Sequence, residues 1–255
     1  RKPFIEQKRS SVLDTLGVER ALKIAKKNAR EGKLSAAKKI YTDSKDPQKN
    51  IINFLKGLKS QGKYQKLKSE VTSLLSSFPK SIVLYDLLGT ANYGAGKYKE
   101  SVSAYKQALA LSPNSPAIHY NLGNSLKEQG NLKDAIISYE KALSINSNKV
   151  DIFLNMARVF HNYGSHENAI IAYHKAISID PEITEAYIDL GANYQIQGDL
   201  GRAIDAYHIA IMKDPENNVA SYRLAGILQK RDGFQFVAAN RSFQNTIKSI
   251  LDKNT

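Results

Sequence analysis

Apolar side chains along this chain return every three, four and seven positions, the spacing of one side of an α-helix rather than the alternation of a strand. Ile136, Tyr139, Ala142 and Leu143 make one such run. The pattern itself recurs every 34 residues, placing Tyr105, Tyr139, Tyr173 and Tyr207 in one series and Ala108, Ala142, Ala176 and Ala210 in a second. Gly89, Gly123, Ala157 and Gly191 form a third, and Gly96, Gly130, Gly164 and Gly198 a fourth. Pro113, Pro181 and Pro215 form a fifth, which Ser147 interrupts. Five series in one register predict a stack of similar units.

Each unit reads as two helices. The first spans about Tyr85 to Ala95 and its equivalents. The glycines at 96, 130, 164 and 198 then supply the residue that can end a helix in a left-handed turn. The second helix carries the tyrosine and stops before the proline, which cannot continue it. Gly89, Gly123 and Gly191 lie mid-helix, where glycine costs ~1 kcal/mol against alanine. Opposite them in register stand Ser101, Ala135, Ala169 and Ala203. Small against small brings the two helices close, with the tyrosine beside them, and a larger residue at Gly123 is expected to overpack by ~1–3 kcal/mol.

Tyr187, Leu190, Gly191 and Tyr194, then Ala203, Tyr207 and Pro215, together resemble the tetratricopeptide repeat. His119, Leu122, Gly123, Ala135 and Tyr139 match another unit, as do Phe153, Met156, Ala157, Ala169, Tyr173 and Pro181. Tyr85, Leu88, Gly89, Tyr105 and Pro113 match a fourth. The resemblance implies an all-α fold, an α-solenoid in which antiparallel helix pairs wind into a right-handed superhelix. Four full units are expected over 82–217. Residues 18–81 read as two degenerate units, the first shortened, since Gly32 and Gly62 are closer than one period. Residues 1–17 are a lead segment. Residues 218–255 give a partial fifth unit and an amphipathic helix at 234–251 carrying Phe236, Phe243, Ile247 and Ile250. That helix caps the array or pairs with a second copy.

Charge separates along the chain. Of the 255 residues, 1–81 hold 20 Lys+Arg against 7 Asp+Glu, and this accounts for the whole net charge of +13. A solvated lysine surface explains the excess better than nucleic acid does, because aromatics are few there and no arginine block exists. Lys49, Lys56 and Lys59 share one helix side, with Asn53 between them, and could hold an acidic peptide or phosphates. With no cysteine there is no disulfide framework, thiolate metal site or cysteine nucleophile. No apolar run approaches the ~18 residues of a membrane span. The signal-free, lysine-rich composition makes the cytoplasm the default compartment.

By analogy with the family, the first helices line a concave groove. Its residues here are Asp86, Thr90, Tyr93, Tyr120, Asn121, Asn124 and Lys127, then Leu154, Asn155, Arg158, His161 and Asn162. Ile188, Asp189, Gln195, Tyr222, Arg223 and Gln229 continue it. Amides there can bond a peptide backbone, and tyrosines add rigid contact area. Asn121 and Asn155 occupy ladder positions like those of repeats resembling O-linked N-acetylglucosamine transferase, although Asp86 and Asp189 do not continue the ladder. The Lys/Asn clamp of chaperone-binding repeats is absent from the register, where Asp86 and Thr90 stand instead.

Catalysis finds little support. His119 takes an aromatic packing position, His174 and His208 are register neighbours, and His161 and His166 flank a turn. No helix carries the paired histidines of a zincin, and neither a metal nor a cofactor is expected. Gly94-Ala95-Gly96-Lys97 follows a helix rather than a strand and lacks the remaining residues of a phosphate loop. Asn240-Arg241-Ser242 fits a glycosylation acceptor, a pattern too short to weigh. The expectation is a non-enzymatic scaffold that binds a protein or peptide. The alternative is the recognition arm of a longer sulfo- or glycosyltransferase. A third reading is nucleic-acid binding by residues 1–81.

Overall fold

A computed structural model describes residues 45–232. The lead segment 1–17, nearly all of the unit expected at 18–47 and the helix expected at 234–251 lie outside the described residues. Among those residues the chain forms eleven α-helices and no strand, as the 34-residue period predicts. Two compact units divide it. In the first, α1 (Lys49–Ser60), α2 (Tyr64–Leu75), α3 (Ile82–Gly94), α4 (Tyr98–Leu111) and α5 (Pro116–Glu128) follow one another, each packed on the next. The first helices also touch, α1 on α3 and α3 on α5. The second unit holds α6 (Leu132–Ile145), α7 (Val150–Asn162), α8 (His166–Ile179), α9 (Thr184–Ile196), α10 (Leu200–Lys213) and α11 (Asn218–Asp232), again each packed on the next. Such neighbour-to-neighbour packing is that of an all-α solenoid.

Helix ends fall where the backbone chemistry requires. Gly62, Gly96, Gly130, Gly164 and Gly198 all have φ between 66° and 83°, the left-handed region that glycine enters without a Cβ clash. After each, the next residue donates its N–H to a carbonyl five positions back, as Lys97 does to Asn92 at 2.8 Å and Ser165 to Phe160 at 2.9 Å. That closes the last turn and satisfies its otherwise orphaned carbonyls. The second helices α4, α8 and α10 stop two residues before Pro113, Pro181 and Pro215. α3 begins at Ile82, three residues earlier than expected, because Ser81 caps it: its side-chain oxygen accepts the Leu84 N–H at 3.2 Å. Ser81 Oγ also donates to Asp46, tying the cap to the segment ahead of α1.

The four series tyrosines are at most 2% exposed, and the alanines at 108, 142, 176 and 210 are sealed. Leu55, Leu67, Val71, Phe78 and Leu84 extend the core across α1 to α3, so the degenerate unit at 48–81 is a real helical pair. In the partial fifth unit Leu224, Ala225 and Leu228 are buried while Tyr222 faces out.

The mid-helix glycines have a more specific cause than small-on-small packing. At Gly89 and Gly191 the series tyrosine lies directly against the helix. A Cβ at Gly89 would stand 2.5 Å from Tyr105 Cε1, and one at Gly191 would stand 2.7 Å from Tyr207 Cε1. Ser101 contributes differently, donating its hydroxyl to the Gly89 carbonyl at 2.8 Å. Where Ala157 replaces the glycine, the phenol reaches a different partner: Tyr173 donates to Asp189, 16 residues on, while Tyr105 and Tyr207 bond Thr90 and Gln195 of their own first helices.

Gly191→Ala should therefore destabilise the protein by about 1–3 kcal/mol, since ring displacement outweighs the helix-propensity gain. Gly226→Ala, in a helix where a Cβ meets no described atom within 4 Å, should instead stabilise by up to ~1 kcal/mol. Urea unfolding followed by circular dichroism measures both, and the opposite signs are the expected result.

Candidate functional site

Three first helices of the second unit each present a polar side to the same space. α7 supplies Arg158, His161 and Asn162, α9 supplies Asp189, Asn193, Gln195 and Ile196, and α11 supplies Arg223. They line a cleft of about 600 Å³, with the Tyr173 ring of α8 and Ala192 completing its wall. Six of its residues were expected from sequence as groove positions: Arg158, His161, Asn162, Asp189, Gln195 and Arg223.

Two polar staples hold α7 to α9 beneath the cleft. In the first, Arg158 Nε lies 3.1 Å from Asp189 Oδ2 and its Nη2 lies 2.6 Å from Glu185 Oε1. Burial works against the guanidinium charge, but Glu185 and Asp189 outweigh it and keep the group's pKa above its ordinary value. The Asp189 carboxylate also accepts the Tyr173 hydroxyl at 3.3 Å. Burial first, then this carboxylate, pushes the Tyr173 phenol far above the usual range. In the second staple, Asn193 Oδ1 takes His161 Nδ1 at 3.0 Å and His166 Nδ1 at 3.1 Å. Asn193 Nδ2 donates back to the Asp189 carbonyl at 2.7 Å. Since a carbonyl can only accept, the amide orientation is fixed, and both histidines must carry their proton on Nδ1.

Asn193 is 1% exposed and was missed by the sequence reading. The signal was present: its equivalents are Ala91, Ser125 and Val159, so an amide breaks a small or apolar position. The pairing of His161 with His166, rings 5.4 Å apart, needed coordinates to be seen. Two other expected groove residues turn inward. Leu154 and Ile188 are each 7% exposed and belong to the core, because on α7 and α9 their side of the helix faces neighbouring helices rather than the cleft. Asn155, Tyr222 and Gln229 do not line the cleft. Asn155 turns its amide back onto the Asp151 carbonyl at 2.9 Å.

In the first unit the expected residues lie on α3 and α5 and most are engaged with residues of their own unit. Asn121 Nδ2 donates to Asp86 Oδ1 at 3.4 Å, Thr90 pairs with Tyr105 at 3.2 Å, and Lys127 meets Glu128 at 3.1 Å. Tyr93 sets its ring edge-on to Tyr98 at 5.6 Å, and Tyr120 and Asn124 are half-buried. Lys49, Lys56 and Lys59 are exposed on α1. Burial raises the Asp86 carboxyl pKa, while Lys59, Asn121 and Lys56 pull it down. The lysine side is thus partly answered by a carboxylate of its own unit. His119, expected in a packing role, is buried with Nε2 at 2.8 Å from the Pro113 carbonyl. His174 Nε2 meets the Tyr194 hydroxyl at 2.8 Å. Among the described residues no helix is long and apolar enough to cross a membrane.

Two measurements test this geometry. Asn193→Ala removes the shared acceptor of two half-buried imidazole N–H groups and should cost about 1–3 kcal/mol in urea unfolding, while spreading the His161 and His166 NMR signals over several ring positions. Tyr105 and Tyr173 hold their protons in the fold where unfolded phenols, of pKa ~10, lose them. A raised folded pKa gives stability that is complete below about pH 10 and falls as the pH climbs past it. The unfolding midpoint should drop between about pH 9 and about pH 11, and less steeply in a Tyr105→Phe, Tyr173→Phe double variant.

A family profile described as TPR repeat matches residues 89–130, and two described as tetratricopeptide repeat match 116–149 and 150–183. No curated protein matches the whole sequence significantly. Among solved structures, MamA is similar at 23% identity and TM-score 0.61, covering 64% of this chain and 95% of that one. YrrB is similar at 20% identity and TM-score 0.62, covering 72% and 95%. The C-terminal part of a TPR repeat-containing protein from Cytophaga hutchinsonii reaches TM-score 0.66 at 16% identity, covering 79% and 78%. At such identities the likeness establishes the fold, while the matched profiles and the 34-residue register establish the repeat. Residues 89–183 of this chain are tetratricopeptide repeats.

Proposed function

We propose that the chain is a non-enzymatic protein-interaction scaffold and that the cleft of its second unit holds a peptide segment of another protein. The cleft carries this reading. It gathers six polar residues expected as groove positions by analogy with the family, and two of the three helices that carry them, α7 and α9, are tied together by polar contacts. A preformed surface loses little freedom when it binds, so more of the contact energy appears as affinity. The volume of about 600 Å³ lies within the range of ordinary ligand clefts and suits a few extended residues rather than a whole domain. YrrB, one of the similar structures, is described as a TPR protein with an unusual peptide-binding site, which is in keeping with the same use here.

Ile196 stands on the cleft wall at 55% exposure, and Ile171 on α8 is equally exposed at 57% but is not a cleft residue. A photo-crosslinking benzoylphenylalanine at Ile196 should capture a discrete protein from a lysate of the source cells, and the same group at Ile171 should not. Mass spectrometry of the adduct identifies the bound segment. Capture at Ile171 alone, or equally at both positions, refutes the assignment.

A further inference from the structure

The hydrogen-bond directions inside the cleft identify which chemistry it accepts, and this argument rests on the peptide-binding reading above. The Tyr207 hydroxyl donates to Gln195 Oε1, 3.2 Å away. An amide whose oxygen already accepts keeps its NH₂ for another acceptor, and Gln195 lines the cleft. His161, with its proton on Nδ1, keeps a lone pair on Nε2.

The two cleft cations are not equivalent. Arg158 is consumed by Glu185 and Asp189. Arg223 is exposed and forms no ion pair among the described residues. Its planar fork can take two oxygens of a carboxylate at once, which a lysine cannot do. Ile196, also in the cleft lining, leaves an apolar surface open.

We infer that the cleft selects a peptide carboxylate, held by the Arg223 guanidinium and the Gln195 NH₂, with an apolar neighbour of that carboxylate resting on Ile196. His161 Nε2 accepts a peptide N–H. The carboxylate can come from an acidic side chain or from a chain terminus, and both present the same pair of oxygens.

Three blocked tripeptides separate these sources: acetyl-leucyl-glutamyl-leucine amide, its glutaminyl analogue, and the glutaminyl analogue with a free C-terminal acid. Each is titrated into the full ¹⁵N-labelled chain, and the side-chain amide signals of Gln195 and Asn162 are followed. The glutamyl amide, the free acid or both should bind at least about tenfold more tightly than the uncharged analogue. The arm that binds names the source. Arg223→Gln, a change at an exposed position, should abolish this preference, and Arg223→Lys should restore only part of it. If the uncharged peptide binds as tightly as both charged ones, or if Arg223→Gln keeps the preference, the carboxylate assignment falls while peptide binding stands. If no peptide moves the Gln195 signal at millimolar concentration, the carboxylate assignment also falls, and crosslinking at Ile196 decides the broader reading independently.

Discussion

A phenol ring laid flat on a helix backbone is the contact on which this architecture depends. Tyr105 and Tyr207 occupy the space where Gly89 and Gly191 would carry a side chain. The ring buries a large apolar area against the backbone, and the helix accepts a mid-helix glycine, an otherwise unfavourable residue, to allow it. Because each contact lies within one hairpin, the chain can repeat it without tying distant stretches together. The same economy appears in the turns, where one left-handed glycine per hairpin replaces any elaborate cap.

The second consequence concerns the hydroxyl at the far end of that ring. A buried phenol O–H needs a partner, and in three hairpins the partner is a polar residue of a first helix. Tyr105 reaches Thr90, Tyr207 reaches Gln195, and Tyr173 reaches Asp189. In these hairpins the packing residue thus holds a polar residue at an expected groove position. Core and polar side are joined through one atom, so substitutions in one propagate to the other. Burial holds the Tyr105 and Tyr173 phenols neutral, and Tyr173 and Tyr207 donate to their partners.

The two compact units carry different surfaces. Residues 45–131 hold 12 lysines against five carboxylates, whereas residues 132–232 hold 10 basic and 13 acidic side chains. All the large apolar side chains left exposed among the described residues, from Ile137 to Tyr222, belong to the second unit. A solvated, self-repelling lysine surface keeps a helical array soluble. A near-neutral surface with apolar outcrops and an oriented polar cleft suits contact with other chains. Division of labour along the array is the simplest physical account of both.

The period of the chain determined by itself the helical class, the turn positions and the buried tyrosines, while the family resemblance supplied most of the polar residues of the cleft. It could do so because helix periodicity, the need for glycine at positive φ and proline's missing N–H are local properties, each written in a few neighbouring residues. Leu154 and Ile188 were placed in the groove by register, yet both are buried, since one helical position separates the side facing solvent from the side facing the next hairpin. Tertiary structure alone decided that Asn193 joins His161 to His166, that Arg158 is already ion-paired while Arg223 has no ion pair among the described residues, and that the Tyr173 hydroxyl reaches Asp189 of the next hairpin. These outcomes depend on distances between groups 16 to 32 residues apart in sequence, set by how closely side chains interlock, and no local pattern encodes them.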